Sequence, residues 1–203
     1  MGAFHLSKIF GYHGTPVRNL PLIANSGFKA GTRNGLWLGS GVYFFMDAPG
    51  RSANYAKNWG AKNGEDIAVL RSEIDLTHSM DLIDQEYWNF LSELYALYAS
   101  EIEQRVQQDR RLKGRPDQVG PIEYAEMLRS GQIDPLTGYN VRDCLLMNLA
   151  WKELVDRGTR IDVVRAAFVE GRPVHMSSWL WDESNVMVCV KDTAAISNTV
   201  RIY

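Results

Sequence analysis

Gly41-Val42-Tyr43-Phe44-Phe45, followed beyond Asp47-Ala48-Pro49-Gly50 by Arg51-Ser52-Ala53-Asn54-Tyr55-Ala56, is the stretch from which the fold is read. β-Branched and aromatic residues crowd its first half behind the turn-prone Gly39-Ser40-Gly41. This predicts a strand with Tyr43 and Phe45 on one face and Phe44 on the other. Asp47 to Gly50 breaks the strand, and Ser52 to Lys57 suits a short helix. Residues three apart share a helical face, which sets Ser52 beside Tyr55. A flat carboxamide needs a hydroxyl or backbone partner for its polar edge and aromatic planes for its faces, each ring pair adding about 0.5–1.5 kcal/mol beyond area burial. Ser52, Tyr43 and Tyr55 supply those parts.

Upstream lies Gly11-Tyr12-His13-Gly14-Thr15. A glycine directly after His13 lets a ligand approach the main chain closely, so that the Gly14 N–H and C=O can pair with the same amide. His13 is then available to bond a ribose hydroxyl.

At these residues the chain resembles the catalytic domain of the diphtheria-toxin and poly(ADP-ribose) polymerase class of ADP-ribosyltransferases. The hallmarks of that class are a His-Gly pair on the first core strand, Gly-x-Tyr-Phe on the next, and Ser-Ala-Asn-Tyr after it; all three occur here in order. Ile23-Ala24-Asn25-Ser26-Gly27-Phe28 is also similar to the family's segment between the first two motifs, so the resemblance covers residues 8 to 76. The spacing between Tyr43 and Ser52 is one residue longer than the usual pattern, which a turn absorbs.

The resemblance implies an α+β domain of the ADP-ribosyltransferase fold, with two packed β-sheets forming an NAD cleft, NAD as co-substrate and no metal. By position, it implies that His13 bonds the adenosine-side ribose, that Gly14 and Ser52 clamp the carboxamide, and that Tyr43 and Tyr55 sandwich the nicotinamide. Thr15 joins this cofactor-binding set.

In the last core strand, polymerizing members of the family carry a glutamate. Here the strand is Asn185-Val186-Met187-Val188-Cys189-Val190, and counting back from Lys191-Asp192-Thr193-Ala194-Ala195-Ile196 puts Met187 at the glutamate position. Fixed negative charge there favours an oxocarbenium-like transition state, and methionine supplies none. Glu183, just upstream, is ranked first as the substitute carboxylate and Glu170 second, giving His13, Tyr43 and Glu183 as the expected catalytic set. Since members of the resembled family that lack this glutamate transfer a single ADP-ribose or are inactive, the resemblance implies transfer of one ADP-ribose to a macromolecular acceptor, a protein by preference. The alternatives are a weak or inactive module that binds NAD or ADP-ribose, and a transferase acting on nucleic acid.

Taken singly, each signal has an ordinary explanation. A lone histidine is more often structural, Ser52 alone reads as a helix N-cap, and Tyr43 with Tyr55 reads as core aromatics. Their joint order and spacing carry the functional reading.

At 203 residues the chain is long enough for one sizeable core. Its net charge of -2 gives no general affinity for polyanions. Arg105, Arg110, Arg111, Lys113 and Arg115 form a local basic run, ordinarily a solvated helix end. The two cysteines, Cys144 and Cys189, suggest neither a disulfide framework nor a metal site, and His5, His13, His78 and His175 show no ligand spacing. Leu6 stands where a myristoylation signal wants serine or threonine, and no apolar run suits a signal peptide or membrane helix. A cytoplasmic protein is expected, and delivery into a host cell as an effector or toxin is compatible with this; no membrane partner is expected.

Strands are predicted over Phe4–Tyr12, Gly41–Phe45, Ile67–Leu76, Val164–Val169 and Val186–Val190. Between the third and fourth lies a mainly helical insertion at 82–160 within a single domain spanning 1–203. Its helices run from Asp84 to about Leu112, from Ile122 to Leu128, and from Val141 to Val155 with Gly158 closing the last. Lys113-Gly114-Arg115-Pro116-Asp117 and Asp134-Pro135-Leu136-Thr137-Gly138 read as the connectors. Trp179 and Trp181, just before the last strand, are suited either to docking a protein or to closing the core edge.

Overall fold

A computed structural model describes residues 7–32, 36–54, 64–108, 139–168 and 184–203. Tyr55, Glu170, Glu183, the Ile122–Leu128 helix, both connectors, Arg110 to Arg115, His5, His175, Trp179 and Trp181 lie outside the described residues. The architecture is mixed α+β. In chain order the elements are β1 (Lys8–Pro16), a 3-10 turn (Val17–Asn19), α1 (Leu20–Ser26), β2 (Val42–Met46), α2 (residues 49–54), β3 (Ile67–Asp75), β4 (Ser79–Asp81), α3 (Trp88–Gln108), α4 (Tyr139–Asp156), β5 (Val163–Phe168), β6 (Asn185–Val190) and β7 (Ile196–Arg201).

The strands join in the order β4-β5-β6-β2-β1-β3-β7. Among the described strands, only β4 and β5 run parallel. This differs from the expected pair of packed sheets: the described strands form a single sheet, joined across β1 and β2. The join is narrow. β1 pairs with β3 over nine rungs, from Lys8↔Asp75 to Pro16↔Ile67, whereas it meets β2 at two, Gly11↔Met46 and Tyr12↔Phe45.

β1 runs four residues past its predicted end at Tyr12; Phe4 to Leu6 of the predicted strand lie outside the described residues. The β3 ladder carries it through Gly14 to Pro16, overriding the weak strand propensity of Gly-Tyr-His-Gly-Thr. Two strands were not predicted. β4 has three residues, too few for a periodic signal, and β7 is a polar, largely exposed edge strand with Asn198 at φ 49°.

The chain divides into two compact units. One comprises residues 1–31, 41–87 and 159–203 and contains the sheet. Ile9, Phe44, Ile74, Val188 and Val190 form its buried centre, against which Phe28, Met46 and Ile196 pack. Gly11 is required there: a Cβ at that position would sit 2.3 Å from Ile74 Cδ1 and 2.9 Å from Phe44 Cβ. Gly41 is equally constrained, since its Cβ would meet Cys189 Sγ at 2.3 Å and the Val190 carbonyl oxygen at 2.8 Å. The glycine thus permits the approach that starts the β2–β6 pairing.

The other unit, residues 32–40 and 88–158, holds α3 and α4. Apolar residues at helical spacing bury Leu91, Leu94, Ile102 and Val106 of α3 and Val141, Cys144, Met147 and Ala150 of α4. Ile102, Val106 and Val141 pack together, and Arg142 grips Glu103 with two 2.8 Å hydrogen bonds. The Ser40 amide donates to Asn148 Oδ1 at 2.7 Å. Gly158, at φ 85°, follows α4 in the left-handed conformation that commonly terminates helices.

Candidate functional site

Main-chain groups alternate in direction along an antiparallel strand, so two hydrogen bonds fix which way each β1 residue points. The Asp47 amide donates to the Phe10 carbonyl at 2.8 Å, on the β2 side, and the Val17 amide donates to the Asp66 carbonyl at 2.9 Å, on the β3 side. Phe10, Tyr12 and Gly14 therefore turn their N–H and C=O toward β2. The β1–β2 pairing ends at Tyr12↔Phe45, so at Gly14 these groups face an opening where no strand pair forms. This is the main-chain edge that the sequence assigned to a carboxamide.

His13 spans that opening. Its Nδ1 lies 2.8 Å from the Tyr43 carbonyl oxygen. A carbonyl only accepts, so Nδ1 carries the proton and the neutral ring presents Nε2 as an acceptor. The ring is packed edge-on by Phe28, with centroids 5.3 Å apart, and tilted against Phe44 at 5.5 Å. Burial pushes the imidazole below its ordinary value of 6.5, outweighing the opposing effect of the Tyr43 carbonyl. Neutral His13 is thus an acceptor suited to a hydroxyl donor.

Strand alternation separates the two side chains that the sequence grouped. His13 shares a face with Gly11, with Phe44 and with its β3 partner Leu70, whereas Tyr43 points to the opposite face. What the fold brings together is the His13 ring and the Tyr43 main chain. On the Tyr43 side, Cys189 is its β6 partner, and the next rung in that direction is Phe45↔Met187↔Ala166. Met187 is half-buried with apolar residues on both neighbouring strands, and no carboxylate stands on that rung.

Ser52 lies in α2, which begins at Pro49 after Asp47, at φ 46°, ends β2. Proline suits the first helical position, since the N–H it lacks would have no partner there. The Ser52 amide donates to the Ala48 carbonyl at 3.2 Å. The side chain is fully buried, and among the described residues its Oγ has no hydrogen-bond partner. A hydroxyl left this way costs about 1–3 kcal/mol, so it calls for a partner such as a water or a ligand atom. Thr15 is also buried, but its Oγ1 accepts from Asn19 Nδ2 at 3.1 Å, tying β1 to the turn before α1.

The sequence did not single out Phe44 or Leu70 as neighbours of His13, and it gave Phe28 only as part of a family-like segment. The β1–β3 register and the spacing Phe28 to Phe44, 5.4 Å between centroids, place them there. Two cavities bounded by described residues, of about 520 and about 460 Å³, lie along β3 and β7, and their walls include neither His13, Tyr43 nor Ser52. No group of three or more His, Cys, Asp or Glu side chains able to hold a metal ion occurs among the described residues. No helix among them is long and apolar enough to cross a membrane. Comparisons with protein-family models, with curated proteins and with solved structures found no match.

Proposed function

We propose that the chain is an ADP-ribosyltransferase that holds NAD at the opening between β1 and β2 and transfers one ADP-ribose to a macromolecular acceptor, a protein by preference. The observation that carries this reading is the early end of the β1–β2 ladder, which leaves the Gly14 main-chain edge facing away from β3 with no strand to pair it. The buried Ser52 hydroxyl supports it as a second amide partner. Neutral His13, with Nε2 as acceptor, suits an adenosine-ribose hydroxyl.

In the reaction, the bond between the ribose anomeric carbon and the nicotinamide nitrogen breaks. Its electron pair leaves with nicotinamide, which becomes neutral. Positive charge develops on the ribose, and an acceptor nucleophile attacks the anomeric carbon and loses its proton. Gly14, Ser52 and Tyr43 act by holding the leaving group in the orientation that cleavage requires. Glu183 is the proposed carboxylate that favours the developing charge.

Release of nicotinamide from NAD by the full chain tests this, measured alongside His13→Ala, Tyr43→Ala and Glu183→Gln. Release in the parent chain and its loss in all three variants is the expected result. Met187 between Phe45 and Ala166 favours a second reading, a module that binds NAD without turnover. Saturable NAD binding with no nicotinamide release would put that reading first.

A further inference from the structure

The cavity of about 460 Å³ falls within the usual size of small-molecule sites, about 300–1,000 Å³. Ile23 and Phe28 line it from α1 and the segment after it, Leu70 from β3, and Ile196, Thr199 and Arg201 from β7. Among the described residues of its wall, Arg201 is the one that carries a charge. Arg201 Nε donates to the Tyr203 main-chain oxygen at 2.9 Å, a bond that does not use the terminal nitrogens of the guanidinium. Thr199 Oγ1 is held at 2.8 Å by Ser72 Oγ.

On the other side of Arg201 is the second cavity, whose wall contains the carboxylates of Glu65 and Asp66. Glu65 is paired with Arg18. Asp66 makes that side less favourable to an anion than the side toward α1, where Leu20, Ile23 and Ala24 give an apolar wall. Phe28 belongs both to this wall and to the packing of His13, and Leu70 is the cross-strand partner of His13. An occupant therefore touches two immediate neighbours of the imidazole.

We infer that the cavity bounded by α1, β3 and β7 binds a small organic anion with an apolar body, its charged end on Arg201, and that occupancy is felt at His13 through Phe28. This does not depend on the transferase reading. The probe is decanoate, titrated calorimetrically into the full chain, with decanol as the uncharged comparator. Decanoate is expected to bind saturably at one per chain. Arg201→Gln should weaken decanoate about tenfold or more, as loss of a hydrogen bond to a charged group does, while leaving decanol unchanged. Ala24→Trp, on an exposed position that lines the cavity, should abolish both, and thermal melting checks that each variant is folded. The His13 ring resonance should move along the decanoate titration and stay fixed in Ala24→Trp. Absence of saturable decanoate binding, or affinity unchanged in both folded variants, overturns the site; a His13 resonance unmoved at saturation overturns the coupling.

Discussion

β1 has two unlike flanks. Toward β3 it is paired from end to end over nine rungs, with Ile9 and Ile74 buried across the ladder. Toward β2 it holds two rungs and then parts, with the His13 ring bonded to the Tyr43 carbonyl just beyond. A sheet of this composition has no shortage of strand-forming residues in β2, so the early parting is not a failure of propensity. Continuous pairing runs along the β3 flank, and a main-chain edge without a strand partner is left on the other. The first arrangement serves stability, and the second is where the proposed ligand would bind.

The sharpest way to break the comparison is on the closed flank. Ile74→Ala removes a fully buried side chain at the centre of the core and should cost about 2–5 kcal/mol of stability, read by urea denaturation. On the proposed reading, Met187→Glu places a carboxylate on the rung beside Phe45. It should raise nicotinamide release about a hundredfold, provided thermal melting shows the variant folded. No increase in the folded variant counts against the assignment of that rung.

Ser52→Ala separates the flanks in the opposite direction. Removing a buried hydroxyl that lacks a partner should leave stability unchanged or raise it by about 1 kcal/mol, while NAD binding weakens. A clear loss of stability would show that Ser52 is a structural residue.

The smallest effect is a pH dependence at His13. Because burial lowers its folded value below 6.5, the unfolded chain takes up a proton in acid that the folded chain declines. Stability should therefore fall as the pH drops from 6.5 toward the folded value and level off beneath it. His13→Gln should flatten that slope in a series of denaturation curves.

Much of the β3 flank is legible in the sequence. From Leu70 to Asp75 the strand alternates between buried and half-buried positions, after a fully buried run at Ala68 and Val69, and the predicted β2, β5 and β6 lie within a residue of their observed ends. The α4 prediction also lies inside the observed helix. These segments owe their structure to local periodicity, which a sequence displays directly. The open flank is different. That His13 and Tyr43 fall on opposite faces depends on the pairing register of three strands, and register is a property of partners rather than of either segment.

β7 escaped notice for a related reason. As an edge strand it has little apolar face to declare it, and Asn198 in a left-handed conformation interrupts its pattern. The Gly14 edge was proposed from a residue pair, but its direction became visible only through the Asp47–Phe10 and Val17–Asp66 hydrogen bonds.

The most direct measurement is calorimetric titration of NAD into the full chain, repeated with nicotinamide alone and with Tyr43→Ala and Ser52→Ala. If the open flank of β1 is the cleft, NAD binds saturably, nicotinamide competes with it, and both folded variants weaken it. NAD that fails to bind the parent chain, or binds both variants as tightly as the parent, would contradict the assignment of this opening to the dinucleotide.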